Sequence, residues 1–259
     1  MPVRLELTAA HRLVVADAYR ATRRVDFAVD SVVEGHTGRV LVDQLPDPTA
    51  FGVNVGLFWY YAGDASSTGA RALVAALPVY HLLMPSPPEW LELAKVVFGA
   101  RLEAAPRYSF SAAHLSSATL DRIVSGSPHR DQIVPLTAEL AARLLDRPRS
   151  GFDITSFDVV ADFLARGFGY VMVRGSKIPG VAYSSLVCSR GIEVSIYVDE
   201  SYRRLGIASA LGALLALEAL RRGLEPHWDA ANPPSCRLAA RLGYSLAGTY
   251  EAYCLLPDL

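Results

Sequence analysis

Residues 191–224 read GIEVSIYV-DESY-RRLGIASALGALLALEALRRGL, and no other part of the chain narrows its fold as much. The stretch IEVSIYV, from Ile192 to Val198, predicts a strand. Four polar residues later a helix opens, runs from Arg204 to Arg222 and stops at Gly223. A strand turning into a long helix through so short a loop belongs in an α/β arrangement. The loop delivers several backbone N–H groups that have no intrahelical partner. The helix macrodipole adds about half a positive charge at the same place. Gly206 removes the Cβ that would block a close ligand, Ala208 keeps the next turn small, and Arg203 and Arg204 put charge on the rim. Together these make an anion cradle suited to a diphosphate. The string RRLGIA by itself reads equally well as an ordinary basic helix start.

Two other phosphate loops fail on inspection. A P-loop needs GxxxxGK[ST], and no such string occurs. A dinucleotide fingerprint needs GxGxxG between strand and helix; the nearest string, GFGYVM from Gly167, lacks the third glycine and precedes a strand. GDASSTG is not a GxSxG elbow, so serine hydrolysis has no support.

Around this segment the pattern predicts helices over Thr137–Leu145 and Phe157–Arg166, the second capped by Ser156. Strands follow over Gly169–Arg174 and Gly180–Val187. After the long helix come a strand Glu225–Asp229, a helix Ser235–Leu242 closed by Gly243, and a strand Leu246–Tyr253. The fold class is therefore α/β (α+β) with a mixed sheet. The N-terminal part reads as strands Arg39–Gln44, Gly52–Val55 and Val79–Met84, helices Thr68–Leu77 and Glu89–Phe98, and an extended Ala104–Ser111. SGSPHR (Ser125–Arg130) has the punctuation of a linker, which predicts a smaller mixed α/β domain over 1–125 and a second domain over 131–259.

Composition sets the class of partner. With 25 Lys+Arg against 26 Asp+Glu the net charge is −1, which argues against nucleic acid or an anionic membrane as partner. Hydrophobic residues at 51% are enough for a packed core. Three scattered cysteines, Cys188, Cys236 and Cys254, indicate neither a disulfide framework nor a metal site and fit a cytoplasmic protein. No signal peptide is visible, and the apolar run Ile207–Leu217 is too short to span a bilayer. Monomer and homodimer are both compatible with the sequence.

The flanks of the loop resemble the GCN5-related N-acetyltransferases. Their [RQ]xxGx[GA] signature stands here as Arg203, Gly206 and Ala208, with EVSIYV before it and WDAAN (Trp228–Asn232) and LAARLGY (Leu238–Tyr244) after it. The resemblance covers about residues 131–259. It is closest to the subgroup typified by the zwittermicin A self-resistance acetyltransferase, which carries an extra N-terminal region of similar size. It implies a mostly antiparallel, twisted sheet flanked by helices, with acetyl-CoA as acetyl donor. The diphosphate would lie on the amides of Arg204, Leu205, Gly206, Ile207, Ala208 and Ser209, beside Arg203. The pantetheine arm would run along the edge of Ile196, Tyr197 and Val198, and the thioester carbonyl would meet an N–H near Ile196 or Tyr197. Asn232 matches an asparagine that contacts the pantetheine, with Ser235 beside it.

Acetyl transfer needs a neutral amine, and freeing one with a pKa of about 10.4 costs roughly 4–5 kcal/mol at pH 7. A base is expected, and Glu193 matches a glutamate frequent on that strand in the family. The family's usual acid is a tyrosine in the last helix, where this chain has Ala239. Tyr250, Tyr253, Ser235 and Cys236 are the replacement candidates, with solvent as the other source. Direct transfer needs no enzyme nucleophile, so Cys188 and Cys236 are not required. His227 reads as a half-buried sheet residue, Trp228 as core or cleft wall, and Phe58–Tyr61 as packing. The implied activity is N-acetylation of a small, antibiotic-like primary amine, the N-terminal domain bordering the acceptor cleft. A non-catalytic acyl-CoA-binding module and a protein N-acetyltransferase are the alternatives.

Overall fold

A computed structural model of the chain describes residues 2–22, 26–147 and 149–258. These fall into two compact units, Met1–Arg107 with Thr249–Leu259, and Tyr108–Gly248.

The first unit holds β1 (Val3–Leu5), α1 (Ala9–Ala18), α2 (Ala28–Val33), β2 (Arg39–Val42), β3 (Ala50–Val55), β4 (Phe58–Gly63), α3 (Ala70–Ala75), β5 (Leu82–Leu83), α4 (Pro88–Phe98) and most of β6 (Leu102–Ser111). Its strand order is β1-β2-β3-β4-β5, completed by the end of β12 (Ser245–Leu255). All neighbours are antiparallel except β4 and β5. The aromatic run Phe58–Tyr61 is strand β4, and Trp59, Tyr60 and Tyr61 are fully buried. Tyr61 stacks on Trp90 of α4 with centroids 5.1 Å apart, so the run builds a core rather than lining a pocket. The expected strand Val79–Met84 shrinks to Leu82–Leu83. A turn closed by His81 N–H on the Pro78 carbonyl, with Tyr80 at φ 63°, occupies its first half.

The second unit holds the end of β6, α5 (Ser117–Ser125), β7 (Ile133–Pro135), α6 (Ala138–Leu145), α7 (Val160–Arg166), β8 (Gly169–Arg174), β9 (Lys177–Cys188), β10 (Gly191–Val198), α8 (Ile207–Arg221), β11 (Glu225–Ala230) and α9 (Pro233–Leu242). Its strand order is β6-β11-β10-β9-β8-β7. β10 and β11 are parallel, and the other pairs are antiparallel. Helix α8 covers one face through Ile207, Leu211 and Leu215, which pack on Ile192 and Val198 of β10. Helices α6 and α7 cover the other through Leu144 and Phe163. Among the described residues no helix is long and apolar enough to cross a membrane.

Several expectations shift by a turn or more. Helix α7 starts at Val160, capped by no side chain, so Ser156 does not cap it. Phe157 lies outside the helix, and its ring meets Phe163 edge-on at 5.1 Å. Helix α8 starts at Ile207 rather than Arg204, because Arg204 (φ 64°) and Gly206 (φ 84°) are left-handed. Ser125–Arg130 lies inside the second unit, from the last residue of α5 toward β7. α5 folds with that unit because Leu120 packs on Ala213, Ala216 and Leu217 of α8. The last eleven residues, 249–259, belong to the first unit because Tyr253 and Cys254 of β12 pair with β5.

Candidate active site

β10 changes partners along its length. It pairs with β11 over Gly191–Glu225, Ile192–Pro226 and Glu193–His227, and among the described residues that ladder ends there. Its pairing with β9 continues to Val198–Gly180. The β9 register slips by one between Glu193 and Val194, where β9 carries the additional residue Ser185. Ser185 Oγ donates to the Glu193 carbonyl at 3.3 Å, beside the point where the two parallel strands part. Among the described residues, no strand pairs with the edge of Ile196, Tyr197 and Val198 that would face β11.

The loop after β10 presents the amides expected of it. The first bond of the α8 ladder runs from Ala210 N–H to the Gly206 carbonyl at 3.1 Å. Arg204, Leu205, Gly206, Ile207, Ala208 and Ser209 all place their N–H groups ahead of that bond. A Cβ on Gly206 would meet nothing within 4 Å, so the glycine serves its left-handed φ and an open approach rather than internal packing. Arg203 ties the loop to the strand, with Nε–H on the Val198 carbonyl at 3.3 Å and Nη1 on Glu200 at 3.3 Å.

Strand alternation sorts the side chains. Ile192, Val194, Ile196 and Val198 face α8, leaving Glu193, Ser195 and Tyr197 on the opposite face. On β11, Trp228 and Ala230 join the α8 side, so His227 and Asp229 share the face of Glu193. His227 Nδ1 lies 2.7 Å from Glu193 Oε2, with side chains only 8% and 20% exposed. The pairing is not legible in the sequence, where His227 reads only as a half-buried sheet residue. Glu193 is the third residue of β10 and His227 the third of β11, a signal legible only once the two strands are known to pair in parallel.

Asn232 is the N-cap of α9, its Oδ1 accepting the Ser235 N–H at 3.0 Å, which leaves its side-chain NH2 for a ligand. Ser235 Oγ accepts the Trp228 indole N–H at 3.1 Å, and Trp228 is core, its ring 5.2 Å from that of Tyr244. Ala239 is fully buried and supplies no acid. The Cys236 thiol is pushed up by burial. Tyr250 and Tyr253 belong to the first unit. Tyr253 donates to Glu251 at 2.8 Å, a bond that, with burial, raises its phenol above the ordinary value. Among the described residues no group of His, Cys, Asp and Glu is arranged to hold a metal.

The family model for GNAT acetyltransferases matches residues 22–253. An uncharacterized N-acetyltransferase of Bacillus subtilis (strain 168), YdfB, is 30% identical over 96 residues, which is 36% of this chain and 37% of that relative. The crystal structure of a GCN5-related N-acetyltransferase-like protein from Streptococcus suis 89/1591 superposes with a TM-score of 0.81 at 26% identity, covering 95% of this chain and 98% of that one. A GCN5-related N-acetyltransferase from Kribbella flavida shares the fold, with a TM-score of 0.55 at 14% identity over 98% of this chain and 97% of its own. With the glycine loop, the parted strands and a family match through nearly the whole sequence, this chain belongs to the GNAT acetyltransferases.

Proposed function

We propose that the chain is an acetyl-CoA-dependent N-acetyltransferase acting on a primary amine of a small, antibiotic-like molecule. The observation that carries the reading is the parting of β10 from β11 at Glu193, on the same strand that ends in the amide-lined loop. The residues present fit acetyl-CoA, because Gly206 leaves open space where a Cβ would stand and six successive amides precede the α8 ladder. Acetyl-CoA supplies an acetyl group activated as a thioester. The amides of Arg204 to Ser209 donate to its diphosphate, aided by the helix dipole and the charge of Arg203. The backbone of Ile196, Tyr197 and Val198 and the NH2 of Asn232 hold the pantetheine arm, with Ser235 beside it.

Glu193 takes the proton from the incoming amine, and His227 holds the carboxylate in place by the bond at 2.7 Å. Ala239 offers no hydroxyl, so within this unit the proton for the departing sulfur is assigned to solvent, with Ser235 and Cys236 as the side-chain alternatives. The small-molecule acceptor and the kinship with the zwittermicin A self-resistance enzymes rest on the sequence resemblance, and a cytoplasmic location rests on the sparse, scattered cysteines of the sequence. Free thiol released from acetyl-CoA is measured against aminoglycosides, polyamines, amino acids and peptides. The reading expects turnover with a small amine. Binding without turnover on any amine would make the chain a non-catalytic acyl-CoA module, and turnover on peptides alone would make it a protein acetyltransferase.

A further inference from the structure

The apex of the glycine loop is held in a strained shape by little of its own. Arg204 sits at φ 64°, a region that costs a residue with a Cβ roughly 1–2 kcal/mol. Such a conformation persists only where its surroundings enforce it. Leu205, between the two left-handed residues, is 49% exposed, so side-chain packing is a weak restraint on it. The Leu205 carbonyl, however, has a partner from a distant part of the sequence. His129 Nε2 lies 2.9 Å from it. A carbonyl can only accept, so Nε2 carries the proton, as it does both in the neutral Nε2–H tautomer and in the imidazolium.

The segment bearing His129 is itself fixed. Ser127 N–H bonds the Val124 carbonyl at 3.1 Å, Ser127 Oγ accepts the His129 N–H at 3.2 Å, and Gln132 N–H closes on the His129 carbonyl at 2.9 Å. The helix before it, α5, packs through Leu120 on α8, the helix that the loop introduces. The histidine therefore reaches the loop from a support resting on the same helix.

We infer that His129 is a positioning residue for acetyl-CoA, pre-setting the diphosphate loop through its bond to the Leu205 carbonyl. This rests on the functional reading above, since it takes the loop as the diphosphate site. His129 touches no reacting atom in this role, and its effect falls on affinity rather than on the chemical step. Gln is the conservative replacement, because its side-chain nitrogen reaches about as far as Nε2, whereas that of Asn reaches only as far as Nδ1.

The test compares wild type with His129→Ala, His129→Asn and His129→Gln. Calorimetry with acetyl-CoA reads affinity, and hydrogen exchange of the Ala210 amide in the ligand-free protein reads the loop itself. The expected result is an acetyl-CoA Kd weakened about three- to tenfold in the Ala and Asn variants, the range of one hydrogen bond's net contribution, and restored within about twofold by Gln. KM for acetyl-CoA follows the same order while kcat at saturation stays level, and Ala210 exchanges faster in the Ala and Asn variants. Equal affinity and equal exchange in wild type and His129→Ala would overturn the inference. Faster exchange in His129→Ala, combined with no acetyl-CoA binding by wild type, would instead overturn the functional reading while leaving the tie between His129 and the loop intact.

Discussion

Glu193 and His227 occupy equivalent places on neighbouring parallel strands, and this brings the carboxylate Oε2 to 2.7 Å from the imidazole Nδ1. They are also the last pair before β10 and β11 part. The carboxylate thus stands at the mouth of the opening while its partner, on the strand that leads away, holds it in place.

If Glu193 is the base, Glu193→Gln keeps the shape and removes the proton acceptor. Turnover is expected to fall about a hundredfold or more at pH 7, the lower end of general-base contributions. The sign of the pH effect follows from the amine: free amine grows as pH approaches its own pKa, so the deficit shrinks at alkaline pH. A pH–rate profile of both proteins checks this, and a loss independent of pH would indicate a positioning role instead.

His227→Leu removes the partner of Glu193, whereas His227→Asn keeps a hydrogen-bonding amide near the Nδ1 position. The Leu variant is expected to lose about tenfold or more in kcat/KM with its acetyl-CoA affinity unchanged, and the Asn variant to recover most of it. Because the pair is largely buried, the Leu variant is also expected to lose about 1–2 kcal/mol of stability in urea titrations. Equal activity in all three proteins would reduce the pair to a structural bond.

Gly206→Ala and Gly206→Glu separate strain from charge. Both add a Cβ at φ 84° where no atom lies within 4 Å, so each is expected to fold, with a strain of about 1–2 kcal/mol. Only Glu puts a negative charge among the loop amides. It should weaken acetyl-CoA binding at least about tenfold, or about 1.4 kcal/mol, beyond the Ala variant. Calorimetry measures both, and equal affinities would remove the loop as the diphosphate site.

Gly151 lies directly against the Tyr197 ring, and a Cβ there would fall 2.1 Å from Tyr197 Cγ. Its φ of 68° adds strain for any other residue. Gly151→Ala should therefore cost at least about 2 kcal/mol, combining overpacking with left-handed strain. A urea midpoint unchanged from wild type would show that the ring moves aside freely.

The sequence by itself determined the local devices. Apolar β-branched residues specified β10, the polar DESY and the RRLGIA string specified the amide-rich loop, and Gly223 and Gly243 marked the ends of α8 and α9 at φ 72° and 104°. Each of these depends on residues within a few positions of one another, which is why it could be read directly. Only the tertiary structure decided which strands pair and where they part. The strand register joined Glu193 to His227, thirty-four residues apart in the chain. Packing on α8 drew α5 into the second unit, and pairing with β5 drew the end of the chain into the first. Hydrogen-bond registers and core contacts link residues far apart in sequence. Their energies depend on the whole packed arrangement, so no local pattern of residue types encodes them.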